Sequence, residues 1–319
     1  MANLSTEDPF SMPTAPNIQH VIVGNLTAIE IRHGDAKAVI LEQGAHLISY
    51  GIDGENPVIW CNPHAVYEEG TPVRGGIPVC WPWFGDIGWN PSAVQAMCVG
   101  DDVPPFHGLV RNLPWTMGPA VVESEGTSVT FTVEITETQY SCWPHHARVS
   151  IRFTVGKSLT LEMTTENLGG AEIAVGQALH TYYAVSDVEQ LDFVGLRGLS
   201  YFDVLNDWKS RIQVDEPRLA RETTNAYTGT PSVLEIQDSE WKRKIVLSVR
   251  GSQSAILWNP WKDRSLVLDQ FDADAWKEMV CLETARIGEN IAVLSPLKAD
   301  SVTINISTKS TVLSDKRDA

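Results

Sequence analysis

The chain of 319 residues is poor in several things that would direct its reading elsewhere. No stretch approaches the roughly 20 apolar residues that cross a bilayer. The first ten residues, Met-Ala-Asn-Leu-Ser-Thr-Glu-Asp-Pro-Phe, lack the basic flank and apolar run of a signal peptide. Cysteine is scarce: Cys61, Cys80, Cys98, Cys142 and Cys281 make an odd count with no CxxC pair, which favours reduced thiols and a cytoplasmic location over a disulfide scaffold. Positive charge is also short, 24 basic against 40 acidic residues, for a formal charge of −16. That balance argues against nucleic-acid or anionic-membrane partners. Heptads, solenoid periods and low-complexity linkers are absent.

What is present is strand signal. Leu26–Arg32, Ala38–Leu41, Thr127–Ile135, Ala147–Val155 and Leu159–Thr165 are short runs rich in β-branched residues, several alternating with period two. Lys244–Val249, Ala255–Trp258, Ile291–Leu294 and Val302–Ile306 follow, many of the runs set apart by Gly, Pro, Asn and Asp. The acidic start of Asp272–Val280 predicts the one helix of note. The expectation is an all-β chain with few short helices: a single sandwich domain over 19–313, a polar leader over 1–18 and a charged tail over 314–319. Residues 86–105 are expected to form a long loop over one face.

Against so acidic a background, clustered cations are informative. Arg74-Gly-Gly-Ile-Pro-Val-Cys-Trp-Pro-Trp-Phe-Gly85, with His107-Gly-Leu-Val-Arg111 after it, sets two arginines near a Gly-Gly pair and flat aromatic surface. Arginines suit an anionic group and tryptophans suit sugar rings, so a phosphorylated sugar fits both. Each piece has a plainer reading. Gly75-Gly76-Ile-Pro is a turn signal, and His180, in Ala178-Leu-His-Thr-Tyr-Tyr183, reads by residue type first as a satisfied core histidine. Glu283 differs: it follows apolar Val280-Cys-Leu, and a sheltered carboxylate is costly without a purpose. A sheltered carboxylate and an imidazole can serve as general base and general acid, although spacing alone does not bring Glu283 and His180 together. His145 and His146 lack a third ligand at suitable spacing, and no metal site is expected.

Taken together, the Arg74–Gly85 and His107–Trp115 runs, Ala178–Tyr183, Trp258-Asn-Pro-Trp261 and Val280–Glu283 resemble the glucose-6-phosphate 1-epimerase (hexose-6-phosphate mutarotase) family of the aldose 1-epimerase superfamily. The resemblance runs from about residue 25 to 307. It implies a galactose-mutarotase-like β-supersandwich of large antiparallel sheets, interconversion of the α and β anomers of a hexose 6-phosphate through the open-chain aldehyde, and no cofactor. It also implies Glu283 as catalytic base, His180 as acid and His107 near the ring oxygen, with Arg74 and Arg111 at the phosphate. Trp83 offers a face for the sugar, a buried core role being the alternative. Where the family often has an Asp that binds sugar hydroxyls, this chain has Thr224, within Glu222-Thr-Thr-Asn-Ala-Tyr227. A charged contact there becomes a neutral one. A monomer acting on a small molecule is expected. The competing readings are an epimerase of unphosphorylated sugars, a non-catalytic sugar-phosphate-binding or regulatory sandwich, and, last, a glycoside hydrolase.

Overall fold

The structure, a computed structural model, describes residues 17–100 and 102–311. Ile18–Val23, Leu26–His33, Ala36–Leu41 and His46–Ile52 form a four-stranded antiparallel sheet in sequential order. A nine-stranded sheet runs Leu191–Val194, Val233–Asp238, Arg243–Arg250, Ala299–Ser310, Leu159–Asn167, Ala147–Val155, Thr127–Ile135, Thr116–Met117, with Val121–Val122 beside Thr127–Ile135. Period two explains its packing. In Ala147–Val155 the residues Ala147, Val149, Ile151, Phe153 and Val155 are buried, and the residues between them are less so.

An eight-stranded sheet faces that core. Its order is Lys209–Ile212, Ser200–Asp203, Thr223–Thr228, Ser254–Asn259, Met279–Arg286, Gln177–Leu179, Val79–Cys80, with Tyr182–Ala184 also paired to Met279–Arg286. Met279–Arg286 is buried on both faces. Val280 and Leu282 enter the main core with Leu179, Tyr227, Ala255 and Leu257. The alternate residues join two small clusters on the other face, which we call the front: Cys80, Ala178, Ala226, Ile256 and Ala285 in one, Tyr182 and Cys281 in the other.

The expectation of an all-β chain of large antiparallel sheets is met. The expected helix over Asp272–Val280 is not: a single 3-10 turn occupies Ala275–Lys277, and Met279 already begins a strand. Asn259 decides this locally, because its Nδ2 donates to the carbonyls of Trp276 (2.8 Å) and Met279 (2.9 Å) and so satisfies them without a following helical turn. Residues 86–100 and 102–105 are irregular except for a 3-10 turn at Ile87–Trp89 and one helical turn at Ser92–Gln95. The expected leader overlaps the first strand at Ile18; residues 1–16 and the tail lie outside the described residues. Among the described residues no helix is long and apolar enough to cross a membrane.

Candidate active site

Strand register assembles the front face in rows. Ile256 pairs with Glu283, and Ala226 with Ile256. Ala178 and Leu179 pair with Ala285 and Thr284, which brings His180 level with Glu283. In the next row Thr224 pairs with Trp258, Trp258 with Cys281, and Cys281 with Tyr182. Cross-strand partners project to the same side of a sheet, so residues from five segments meet on one floor. The small side chains Cys80, Ala178, Ala226 and Ala285 keep that floor open beside the larger ones.

Glu283 and His180 meet there. The Glu283 side chain is 1% exposed, its Oε1 lies 3.5 Å from His180 Nδ1, and neither its two oxygens nor Nδ1 has a hydrogen-bond partner. Unsatisfied buried polar atoms are rare and expensive, and here they converge on one spot. Burial holds the Glu283 carboxyl well above the usual carboxylate range. Burial, and then the positive charges of Arg74 and Arg111, push His180 down to about 3. Both shifts favour the uncharged forms of the pair, a protonated carboxyl beside a neutral imidazole. The His180 ring stacks on Tyr182, centroids 4.9 Å apart, and meets Trp258 edge-on at 5.9 Å.

Two more histidines flank this pair. His107 sits 5.3 Å from His180, ring to ring, with Phe84 and Phe106 packed on it. The amide of Gly85 donates to His107 Nδ1 at 3.0 Å, so the ring's Nε2 carries the hydrogen. Burial, followed by the charges of His180, Arg111 and Arg74, holds His107 well below its ordinary value. Its φ of 67° is rare for a residue with a side chain, and it is followed by Gly108, where a Cβ would come 2.0 Å from the Trp81 carbonyl. His46 had no role in the sequence reading. It is buried, held at about 4 by desolvation, and its Nε2 donates to the Gly75 carbonyl at 2.8 Å. That bond fixes the Gly75-Gly76 turn after Arg74, and a Cβ on Gly76 would come 2.3 Å from the Leu47 carbonyl.

Arg74 and Arg111 are half-buried on loops beside this group. Arg74 Nε donates to the Asp269 carbonyl at 3.3 Å, and Arg111 feels the charge of Arg74 and the proximity of Cys80 and Tyr182. Among the described residues neither guanidinium has a carboxylate partner. Among the described residues the site thus carries two positive charges with no ion-pair partner, although the chain as a whole carries −16.

Trp83 requires a correction. It is fully buried in the main core and donates its indole N–H to the Pro105 carbonyl at 2.9 Å, so it holds the 86–105 segment and offers no face to a ligand. Phe84 is the residue of that run on the front face, with Trp258 as a half-buried aromatic wall. Thr224 lies on the floor, one strand beyond Trp258. Next to the Glu283 row is an apolar recess of about 260 Å³, bounded by Phe84, Trp89, Phe202, Trp208, Ala226 and Ile287. A depression of about 620 Å³ opens near Tyr201, Asn225, Leu257, Arg221 and Arg264, but no buried unpartnered group of the described residues belongs to it. His180, Cys281 and Glu283 each place one potential metal-ligand atom within 4.8 Å of the others. His145 and His146 go separate ways, to the Met97 carbonyl and to Glu134.

Comparison with known proteins bears on this geometry. A protein of Escherichia coli (strain K12) described as "Putative glucose-6-phosphate 1-epimerase" is 32% identical over 285 residues, 88% of this chain and 91% of its own. A protein of Cenchrus ciliaris with the same description is 27% identical over 80% of this chain and 77% of its own. The crystal structure of a "putative mutarotase" from Salmonella typhimurium superposes with a TM-score of 0.82 at 28% identity, covering 95% of this chain and 97% of that one. A galactose 1-epimerase from Lactobacillus acidophilus NCFM superposes at 0.68 with 13% identity over 92% and 98%, a likeness of fold that makes the architecture galactose-mutarotase-like. The sequence model described as "Aldose 1-epimerase" matches residues 27–305, which takes in the histidines, the arginines and Glu283 together. On that match, the chain belongs to the aldose 1-epimerase family.

Proposed function

We propose that the protein interconverts the α and β anomers of a hexose 6-phosphate, D-glucose 6-phosphate foremost. The observation that carries the reading is the pairing of an unpartnered buried acid–base couple, Glu283 and His180, with two half-buried arginines that have no carboxylate partner among the described residues. The couple suits proton transfer between sugar oxygens, and the arginines suit a phosphate, through charge-assisted and bidentate hydrogen bonds.

The phosphate docks against Arg74 and Arg111. Burial depresses His180 most and the two cations add to it; the phosphate's charge offsets the cations, which eases proton transfer from Glu283 to the imidazole and readies the carboxylate as base. Glu283 then takes the proton of the C1 hydroxyl while His180 gives one to the ring oxygen. The C1–O5 bond breaks, C1 becomes the aldehyde, and rotation about C1–C2 turns its other face to the attacking hydroxyl. Reversal of both proton transfers closes the ring and restores the couple. His107, neutral with hydrogen on Nε2, donates to the ring oxygen region. Thr224 takes a sugar hydroxyl, and Trp258 with the apolar recess receives the C–H face of the ring. The scheme needs no cofactor. Five unpaired cysteines fit a cytoplasmic setting, and we expect a monomer.

The test supplies α-glucose 6-phosphate to a dehydrogenase that consumes only the β anomer. The protein should accelerate NADPH formation when mutarotation limits it. No acceleration would favour a sugar-phosphate-binding role, and equal or greater activity on galactose would favour an epimerase of free sugars.

A further inference from the structure

Cys281 has no part in the proton transfers, yet it belongs to the same cluster. It stands two residues before Glu283 on the same face of the same strand, fully buried, and is free of any disulfide. The imidazole of His180, the thiol of Cys281 and the carboxyl of Glu283 each offer one lone-pair atom, all within 4.8 Å of one another. The three residues are 8%, 0% and 1% exposed. His180 Nδ1 and both Glu283 oxygens have no hydrogen-bond partner. Convergent, desolvated and unpartnered nitrogen, sulfur and oxygen donors are what a transition-metal ion binds.

We propose that His180, Cys281 and Glu283 form a three-ligand site for a borderline-soft divalent cation of the Zn²⁺ class, and that an ion bound there blocks the reaction. Bonds of about 2.0–2.3 Å in a tetrahedron put ligand atoms roughly 3.3–3.8 Å apart. The 3.5 Å gap between Nδ1 and Oε1 already matches that spacing, and the Cys281 sulfur, within 4.8 Å of both ligand atoms, must close by about 1 Å. Three protein ligands leave a fourth tetrahedral position for water or a sugar oxygen. The mixed donor set selects against Mg²⁺ and Ca²⁺, which prefer oxygen ligands.

The charges balance. Binding displaces one proton from the thiol and one from the carboxyl, so a dication meets a thiolate and a carboxylate and the product is neutral. That neutrality answers the repulsion from Arg74 and Arg111. The bound ion occupies the lone pairs that proton transfer needs, so binding and turnover exclude each other.

The direct test is a Co²⁺ titration of the whole reduced protein, with Zn²⁺ as competitor. One ion per chain should bind with tetrahedral visible bands, a thiolate-to-cobalt transition in the near ultraviolet and release of protons. Cys281→Ser should abolish the near-ultraviolet transition and weaken binding by at least about tenfold. Glu283→Gln, which keeps the side chain's volume, should also weaken it and stands in if the serine variant misfolds. Binding without the thiolate transition, unchanged affinity in either variant, or no stoichiometric binding at millimolar Co²⁺ would each overturn the site. In the coupled assay Zn²⁺ should inhibit, sugar phosphate should oppose it and chelator should restore activity. Full activity of the Zn²⁺-loaded protein would overturn the block while leaving the spectroscopic result intact. Because binding is read without turnover, failure of the mutarotase reading and failure of this one are told apart.

Discussion

At one end of the cleft Glu283 and His180 come from the middle of the eight-stranded sheet, dry and unpartnered. Beside them Arg74 and Arg111 come from loops and are half-buried, Arg74 held by the Asp269 carbonyl and by the Tyr182 side chain. The difference follows from what each end must do. Proton transfer depends on donor–acceptor distance to a few tenths of an ångström and on pKa values displaced by exclusion of water, which strands with both faces covered can supply. Anion capture depends on charge and on arms long enough to follow the ligand, which loops supply. The rigid end sets what is done, and the flexible end sets to what.

The largest effect separating the two ends should come from Glu283→Gln. It should lower turnover by about 10²–10⁴-fold with little change in substrate affinity, while the melting temperature holds or rises because an unpartnered buried acid becomes an amide. Substantial residual turnover in the anomer-coupled assay would remove Glu283 as the base. Arg74→Ala comes next. Loss of a charged hydrogen bond worth about 1.5–3 kcal/mol should raise KM for glucose 6-phosphate roughly ten- to a hundredfold and leave free glucose little affected. Equal shifts for both sugars would mean that the arginine does not read phosphate, and the contrast between the ends would collapse.

These two ends were unequally legible in the sequence. Glu283 stood out because an acid directly after Val280-Cys-Leu is costly in any fold, and the arginines stood out against an acidic composition. Thr127–Ile135 and Ala147–Val155 were legible to the residue, since period-two burial leaves its trace in composition. The misreadings have one cause, which is that register and remote partners are not written locally. Trp-Pro-Trp-Phe gives no sign that both tryptophans turn to the core while Phe84 faces the site. His46 sits in an ordinary strand sequence and gains its place only from the Gly75 carbonyl. Asp272–Val280 has helical composition, and Asn259, remote in sequence, overrules it.

A smaller effect tests whether the ends communicate. Burial depresses His180 most and the arginines add to it, so an anion between them should move the balance toward the protonated imidazole. Inorganic phosphate should then raise turnover of unphosphorylated glucose severalfold in the native protein, and the gain should vanish in Arg111→Ala. Simple inhibition by phosphate in both proteins would mean that the arginines only hold the substrate and leave the acid alone.

The smallest effect is on stability, invisible at neutral pH and graded in acid. The His46 imidazole titrates near 6.5 when unfolded and at about 4 when folded. Between those values the unfolded chain binds a proton that the native one refuses, so stability is whole above 6.5 and falls as pH drops toward 4, by about 1.4 kcal/mol per unit and group. His180 acts with the same sign, down to about 3. Glu283 acts oppositely: its raised folded value makes the native state the tighter proton binder above the ordinary 4.5, so its contribution declines as pH rises. His46→Gln retains an N–H for the Gly75 carbonyl and removes one titrating group. Thermal melts from pH 7 to pH 4 should show a shallower acid slope for this variant than for the native protein. Parallel slopes for the native and His46→Gln proteins would mean that His46 stays solvated enough to charge in place, and the dry end would then stop short of the Gly75-Gly76 turn.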